Sequence, residues 1–560
     1  MATITIDEKQ YPVQGKPTVM QMALENGISI PHFCWHPRLS IAGNCRICLV
    51  EIEKMPKLAI SCQTIATDGM VVRTASPKVI ESREAVMEFL LINHPLDCPI
   101  CDEAGECKLQ DYAYQHSIGQ SRFEFDKVRK PKRVELGPRV TLDTERCIMC
   151  SRCIRFCDEI VKKPQLVFTQ RGDHVELTTF PGEQLDNAYS MNTIDLCPVG
   201  ALTSSDFRFK SRVWEMSSTD TICQGCARGC NAKMWVRNNE ILRLTPRLNP
   251  DVNDYWMCDH GRLDTFKHVN APDRIHGPMI RKEGELVEVG WDEAVALLGS
   301  ELKTFKGSEI AAIGSPYATN EDNYIFRKLM NHLDAEYFSI LPHLDPYDCD
   351  DFLVTPDKTP NSRGANLAAS AEGRHPADHT VLVEKIRGGG VKLLYVMEDD
   401  IGSMKEFEDV LPKLEILVVH ASNHNMTTKH ADIVLASSTY AEKGGTMINV
   451  TGRVQKIRPA VVTAYQERSL DGFSMSRWDK FGAPNDRWTR GMKHDVRDSW
   501  RILAGLANAF GLKWRYHTSQ DVFAEMTTKI PELKGLTYQA VDRAGAQVRE
   551  AKKTAVAAGA

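Results

Sequence analysis

Apolar and polar positions alternate from the first residues of the chain. Thr3–Ile6 carries an apolar side chain at every second position, which predicts a half-buried strand. Val19–Glu25 has helical composition, and Cys48–Glu53 and Met70–Arg73 alternate again. Val79–Ile92 is an amphipathic stretch of helical period, whereas Ile222–Val236 and Glu240–Leu244 read as short strands and turns. Beyond residue 270 the pattern changes. Trp291, Val295, Leu298, Leu302 and Phe305 recur at helical spacing, Ile310–Ile313 reads as a buried strand ending at Gly314, and Glu321–Leu333 reads as a helix. Leu393–Met397, Ile416–Val419 and Ile433–Leu435 are further short apolar runs between helical or glycine-rich segments. Strands alternating with helices predict an α/β fold with a largely parallel sheet in this half.

Composition narrows the class. A chain of 560 residues predicts three to five domains at roughly 100–200 residues each. With 42% hydrophobic and 26% charged residues it is an ordinary globular chain, and a net charge of −5 gives no basic excess of the kind nucleic-acid proteins carry. The apolar run around Phe89–Ile92 is far shorter than the ~18–20 residues of a spanning helix, so no direct membrane span is expected. The start, Met1-Ala2-Thr3-Ile4-Thr5-Ile6-Asp7, lacks the basic and then apolar layout of a secretion signal. Neither a dinucleotide GxGxxG nor a phosphate-binding loop occurs, and Gly388–Gly390 reads as a turn. The basic residues Lys127, Arg129, Lys130, Lys132 and Arg133 around Pro131 read as a solvated or partner-facing linker, and Ala551–Ala560 as a frayed tail.

The cysteines carry the chemistry. Sixteen of the seventeen lie between Cys34 and Cys258, and the other is Cys349. An odd count and tight CxxC spacings point to metal rather than disulfides. Four groups separate: Cys34, Cys45, Cys48 and Cys62; His94, Cys98, Cys101 and Cys107; Cys147, Cys150, Cys153 and the remote Cys197 before Pro198; and Cys223, Cys226, Cys230 and Cys258. Structural zinc is the competing reading, but zinc sites favour well-separated pairs. Three thiolates within seven residues, closed by a distant Cys-Pro, suit a four-iron cubane as in ferredoxins. Cys157 has no second triple to serve and reads as a buried free thiol. The first group, set among strand, helix and strands, predicts a β-grasp [2Fe–2S] ferredoxin module, with Gly43-Asn44 supplying backbone N–H groups near sulfur. In the second group three thiolates need a fourth ligand; His94 is the first choice, with Asp97 and Asp102 behind it. The fourth group also reads as a cubane.

Four clusters in this order closely resemble the large iron–sulfur subunit of NADH–quinone oxidoreductase, respiratory complex I, of the bacterial G type. The resemblance covers residues 1–265, and the His-x3-Cys-x2-Cys-x5-Cys element is its most specific part. Residues 270–560 resemble, less sharply, a molybdopterin-oxidoreductase domain, through Asp432–Leu435, Glu442–Thr446, Asn449 and Gly452–Gln455. The implied division is 1–78, a [2Fe–2S] ferredoxin-like module; 79–137, a His/Cys-ligated [4Fe–4S] segment; 138–217, a [4Fe–4S] ferredoxin-like module; 218–272, the fourth-cluster subdomain; and 273–560, an α/β scaffold. The fold class expected is thus an α+β front followed by a molybdopterin-oxidoreductase-like α/β domain.

The implied cofactors are one [2Fe–2S] and three [4Fe–4S] clusters. No molybdenum is expected, since Cys349 sits among four aspartates and Asp259, not Lys, follows Cys258. The implied role is electron transfer from a flavin/NADH-binding subunit toward quinone, through further peripheral-arm iron–sulfur and quinone-site subunits. The chain itself would be a wire within the oxidoreductase, with no NADH or quinone site of its own. Electrons would run from the Cys34 group to the Cys147 group and then to the His94 group, with the Cys223 group off that path. The implied location is the cytoplasmic face of a bacterial inner membrane, held peripherally by partners. The alternative is the α-subunit of an NAD-linked formate dehydrogenase with a molybdenum or tungsten pterin site.

Overall fold

A computed structural model describes residues 2–466 and 491–549. It divides into two compact units, Met1–Glu215 and Met216–Ala560. The tail at 551–560 lies outside the described residues.

The first unit opens with a five-stranded sheet of order β2-β1-β5-β3-β4, formed by β1 (Thr3–Ile6), β2 (Lys9–Pro12), β3 (Leu49–Ile52), β4 (Ala59–Ile60) and β5 (Met70–Arg73). β1 and β5 run parallel and the other pairs antiparallel. Alternation does what the sequence predicts: Ile4 and Ile6 point into a core with Val19, Met20, Val50 and Val72. The helix Val19–Glu25 is started by Thr18 and Gln21, which cap each other's backbone N–H groups. Helix, mixed sheet and a long Cys-bearing loop between residues 26 and 48 make the β-grasp arrangement.

The helix Pro77–Leu91, with proline in its first turn, leads to the second cysteine group. The ferredoxin-like part follows. It contains β6 (Val134–Glu135), β7 (Val140–Leu142), the hairpin β8 (Leu166–Thr169) and β9 (Glu176–Thr179), and β10 (Leu202–Ser204), which pairs with β7. Cys147 and Cys150 sit on the turn before the short helix Arg152–Arg155, Cys153 within that helix, and Cys197 just after the helix Asn192–Leu196.

The second unit starts with the meander β11 (Ser217–Ile222), β12 (Asn231–Arg237) and β13 (Glu240–Pro246). Its centre is a seven-stranded sheet of order β15-β14-β20-β19-β18-β16-β17. The strands are β14 (Met279–Lys282), β15 (Glu285–Glu288), β16 (Ile310–Gly314), β17 (Tyr337–Ile340), β18 (Leu393–Met397), β19 (Ile416–Ala421) and β20 (Ile433–Ala436). β20, β19, β18, β16 and β17 are all parallel, and every residue of β16, β18 and β20 is buried, as helix-covered parallel strands require. A small sheet of β21 (Gly445–Ile448), β22 (Arg453–Ile457) and β23 (Ala546–Gln547) completes the unit.

Two expectations change in detail. Phe305 falls just beyond its helix, which is Trp291–Thr304. The basic run is not a solvated linker throughout. Lys127 Nζ donates to the carbonyls of Leu91 and Ile92, Lys130 Nζ to that of Val175, and Lys132 Nζ to Asp97 at 2.5 Å. Only Arg129 and Arg133 keep largely exposed side chains. Carbonyls and carboxylates folded back from distant segments hold this run in place.

Candidate metal centres

In the first group the thiols meet in pairs, Cys34 with Cys45 and Cys48 with Cys62, close enough for each pair to share a hydrogen bond. The bond from Cys45 draws Cys34 down to about 5, and the bond from Cys62 draws Cys48 to about 7. The hydrogen bond with Cys48, then burial and the charges of Cys48, Cys34 and Cys45, suppress ionisation of Cys62, so all four sulfurs share one environment. Backbone N–H groups of Asn44 and Cys45 bond the Cys34 sulfur, and Gly43 lets that loop turn with φ +62°.

In the third group burial pushes Cys153 and Cys197 up, and neighbouring thiolates add to it: Cys150, Cys147, Cys197 and Cys157 on Cys153, and Cys150 and Cys147 on Cys197. Cys157 is buried and lies within this electrostatic neighbourhood. In the second unit, burial and then the charges of Cys223, Cys226 and Cys258 raise Cys230. N–H groups of Gly225 and Gly261 donate to the sulfurs of Cys223 and Cys258 at 3.4 and 3.3 Å. A Cβ on Gly261 would stand 2.8 Å from Cys223 Sγ and 3.2 Å from Cys258 Sγ, so the backbone there cradles sulfur.

The second group is looser. Cys98 is exposed, Cys101 buried and Cys107 between the two, with Cys98 and Cys107 near enough for their charges to couple to Cys101. A Cβ on Gly200 would collide with Cys101 Sγ, which presses the segment after Cys197 against this group. Of the three candidate fourth ligands, Asp97 is engaged by Lys132 and by Arg146 at 3.0 Å, and Asp102 accepts the Phe209 N–H at 3.0 Å. Burial, and then Arg146, holds His94 down at about 4, so its imidazole is neutral and able to donate a lone pair. Arg146 also acts on Cys101, while His94 and Cys147 line one cavity of about 180 Å³.

Among the described residues, no three His, Cys, Asp or Glu side chains converge on a point that one ion would fill. Cluster ligands surround a core of several atoms rather than one centre. All-thiolate groups with backbone N–H donors aimed at sulfur fit iron–sulfur chemistry.

Three arginines, which spacing does not single out, connect the groups of the first unit. Arg155 donates to the carbonyl of Cys34 at 2.6 Å, to that of Cys150 at 3.3 Å, and to that of Ser40. Arg152 donates to the carbonyls of Trp35 and Leu196 at 2.5 and 3.2 Å, and thiolates of both groups act on its charge. Asn44 Nδ2 reaches the Met149 carbonyl at 3.2 Å. Arg146 stands between the second and third groups. The only available hint was position: Arg152 and Arg155 interrupt the cysteine run itself.

These modules define an iron–sulfur protein: ferredoxin-type modules ahead of a molybdopterin-oxidoreductase fold. Family models agree along the chain. They are a 2Fe-2S iron-sulfur cluster binding domain at 1–77, the NADH-ubiquinone oxidoreductase-G iron-sulfur binding region at 83–122, and the NADH-quinone oxidoreductase subunit 3 ferredoxin-like domain at 137–203. The NDSU1/NuoG-like 4Fe-4S domain of NADH-ubiquinone oxidoreductase follows at 216–265, and molybdopterin oxidoreductase at 274–359 and 358–470.

The G subunit of NADH-quinone oxidoreductase from Rickettsia felis is 42% identical over 342 residues, 61% of this chain and 50% of that protein. The mitochondrial 78 kDa subunit of NADH-ubiquinone oxidoreductase from Neurospora crassa is 40% identical over 344 residues, 60% of this chain and 45% of that protein. A chain of the NAD+-reducing [NiFe]-hydrogenase in its H2-reduced state is 32% identical, covering 38% of this chain and 91% of that one at a TM-score of 0.35. The matched stretch spans about half the length of the curated relatives. Over it, the chain is similar to the G-type subunit of NADH-quinone oxidoreductase.

Proposed function

We propose that this chain is the electron-transfer iron–sulfur subunit of an NADH-quinone oxidoreductase, carrying electrons from a flavin/NADH-binding subunit toward quinone. The observation that carries the reading is the arginine-linked series in the first unit. Arg155 and Arg152 join the Cys34 and Cys147 groups, and Arg146 with the shared cavity joins the Cys147 group to His94. The ligands are Cys34, Cys45, Cys48 and Cys62 for a [2Fe–2S] cluster, and three sets for [4Fe–4S] clusters. Those sets are His94, Cys98, Cys101 and Cys107; Cys147, Cys150, Cys153 and Cys197; and Cys223, Cys226, Cys230 and Cys258. When bound, such clusters pass one electron at a time over potentials of roughly −700 to +450 mV.

The protein's part is to hold thiolates in register, donate N–H groups to sulfur, and keep His94 neutral. Module borders near residues 78, 137, 217 and 272 follow from this reading. The chain's partners are the other peripheral-arm subunits. No helix among the described residues is long and apolar enough to cross a membrane. On this reading the chain lies peripherally on the cytoplasmic face, held there by those partners.

The test is iron and acid-labile sulfide analysis, with EPR, on protein purified with its partners. With partner iron subtracted, about fourteen iron atoms per chain are expected from one two-iron and three four-iron clusters. Three of the EPR signals should be reducible by NADH. Stoichiometric molybdenum or tungsten with pterin would overturn the wire-and-scaffold reading and make the second unit an active site.

A further inference from the structure

The second unit holds a cavity of about 740 Å³, within the size range of small-molecule sites. Its walls are the segments leaving the C-terminal ends of the parallel strands: Tyr317 after β16, His343 after β17, Glu398–Asp400 after β18, Ser422 and Asn423 after β19, and Ser437–Tyr440 after β20. Open α/β sheets bind ligands at that crevice. Gly225 and His260, beside Cys223, Cys226 and Cys258, form another part of the wall.

A molybdopterin cofactor, which the fold family implies, does not fit these residues. The cofactor is anionic through its phosphate groups, and its metal commonly takes a thiolate or hydroxyl ligand. Among the described lining residues, Asp273, Asp345, Asp348, Glu398, Asp399 and Asp400 face Lys358 as the one lysine, with no arginine. Lys358 is itself paired with Asp348 at 3.0 Å. The nearby Lys443, fully buried, is held by Asp322 at 2.9 Å and by Glu398 at 2.7 Å. Of the four histidines in the wall, His260 is paired with Asp264 and His343 with Asp399, and burial keeps His268 and His420 neutral, so no cation in this wall is left for a phosphate. Cys349 is exposed on a loop and is not among the lining residues.

Three buried polar atoms of this wall lack hydrogen-bond partners: Asp399 Oδ1, Ser437 Oγ and Tyr440 Oη. Asp399 takes His343 Nε2 on Oδ2 at 3.1 Å, while its Oδ1 has no hydrogen bond. Its side chain is 1% exposed. Ser437 is fully buried, and its Oγ is also unpaired. Leaving a buried polar atom unpaired costs on the order of 1–3 kcal/mol; each of these three can accept a hydrogen bond, so together on one cavity wall they point to an absent ligand that satisfies them. Glu398, Asp400 and Asp345 already accept bonds from Ser499, Thr427 and Tyr347 and set the sign of the site rather than its directed contacts.

We propose that this cavity binds a small organic cation bearing amine or amidine N–H groups, which donate to Asp399 Oδ1 and Ser437 Oγ. Such a ligand supplies donors where acceptors are bare and positive charge where carboxylates outnumber lysine. This site is independent of the electron path in the first unit, so its failure leaves the proposed function untouched.

Isothermal titration calorimetry on the full, cluster-loaded chain under anaerobic conditions tests it, with agmatine as the cationic probe and inorganic pyrophosphate as the anionic one. Agmatine is expected to bind one per chain, and Asp399→Asn to weaken it at least tenfold. Ser437→Ala removes an unpaired hydroxyl, so it should lower affinity several-fold while the thermal midpoint holds or rises. That variant keeps the test sound should Asp399→Asn fold poorly. No heat with agmatine at millimolar concentration, agmatine binding indifferent to both substitutions, or pyrophosphate binding abolished by Lys358→Ala would each overturn the proposal.

Discussion

Glu321 lies wholly buried in the second unit, with both carboxyl oxygens facing Thr446. Oε2 accepts the Thr446 N–H at 2.8 Å and Oε1 its hydroxyl at 3.0 Å. Burial outweighs those bonds and pushes the carboxyl up to about 8. An acid whose folded value is raised stays protonated in the folded chain after the unfolded chain has released its proton. Stability therefore falls as pH rises from the ordinary carboxyl range to about 8, and the loss stops above it. Glu321→Gln removes that proton from the balance and keeps an acceptor for Thr446. The parent should lose thermal stability relative to this variant between pH 5 and 8, by up to about 1.4 kcal/mol per pH unit. Thermal midpoints across that range check it, and parallel curves would show Glu321 to be ionised in the fold. Composition and spacing contain none of this, because Glu321 reads in sequence as an ordinary first-turn acid. Its environment comes from Thr446, over a hundred residues away.

At the scale of elements, the cysteine spacings were legible because local geometry sets them: a Cys-x2-Cys turn brings two sulfurs together wherever it occurs. The strands β1, β5, β16 and β18 fell where period and burial placed them, since their side chains obey one periodic rule. Contacts between elements were not legible. Gly200, three residues after Cys197, comes so close to Cys101 that a methyl group cannot enter, and Gly261 sits likewise between Cys223 and Cys258. Gly200→Ala should therefore cost the Cys98/Cys101/Cys107 cubane, and Gly261→Ala the Cys223–Cys258 cubane. Each variant should lose about four iron atoms and a single EPR signal. Iron analysis with EPR checks both, and simultaneous loss of several signals would mean that the glycine supports folding rather than one cluster.

At the scale of the molecule, three of the four cysteine groups lie in one compact unit, and guanidinium groups rather than thiols tie them together. Arg155 is the central case: its head holds carbonyls of Cys34 and Ser40 from the β-grasp loop and of Cys150 from the ferredoxin-like turn. Those partners lie up to 121 positions from Arg155 in sequence, which is why no motif announces the contact. A guanidinium is suited to it, since a planar fork reaches several carbonyls at once, whereas lysine offers a single charged point. Arg155→Met leaves every thiol in place but unpairs these carbonyls, each costing about 1–3 kcal/mol when buried. The two modules should then hold together less tightly while each keeps its cluster. In the intact complex, freeze-quench EPR after mixing with NADH should show the [2Fe–2S] signal appearing at its normal rate. The Cys147-group signal should be delayed roughly tenfold or more, the rate cost of ~1.4 kcal/mol on the barrier. Arg155→Lys should recover little of that loss. An undelayed signal in Arg155→Met would show that electrons reach the cubane without this contact, and the order of transfer would have to be drawn through another part of the unit.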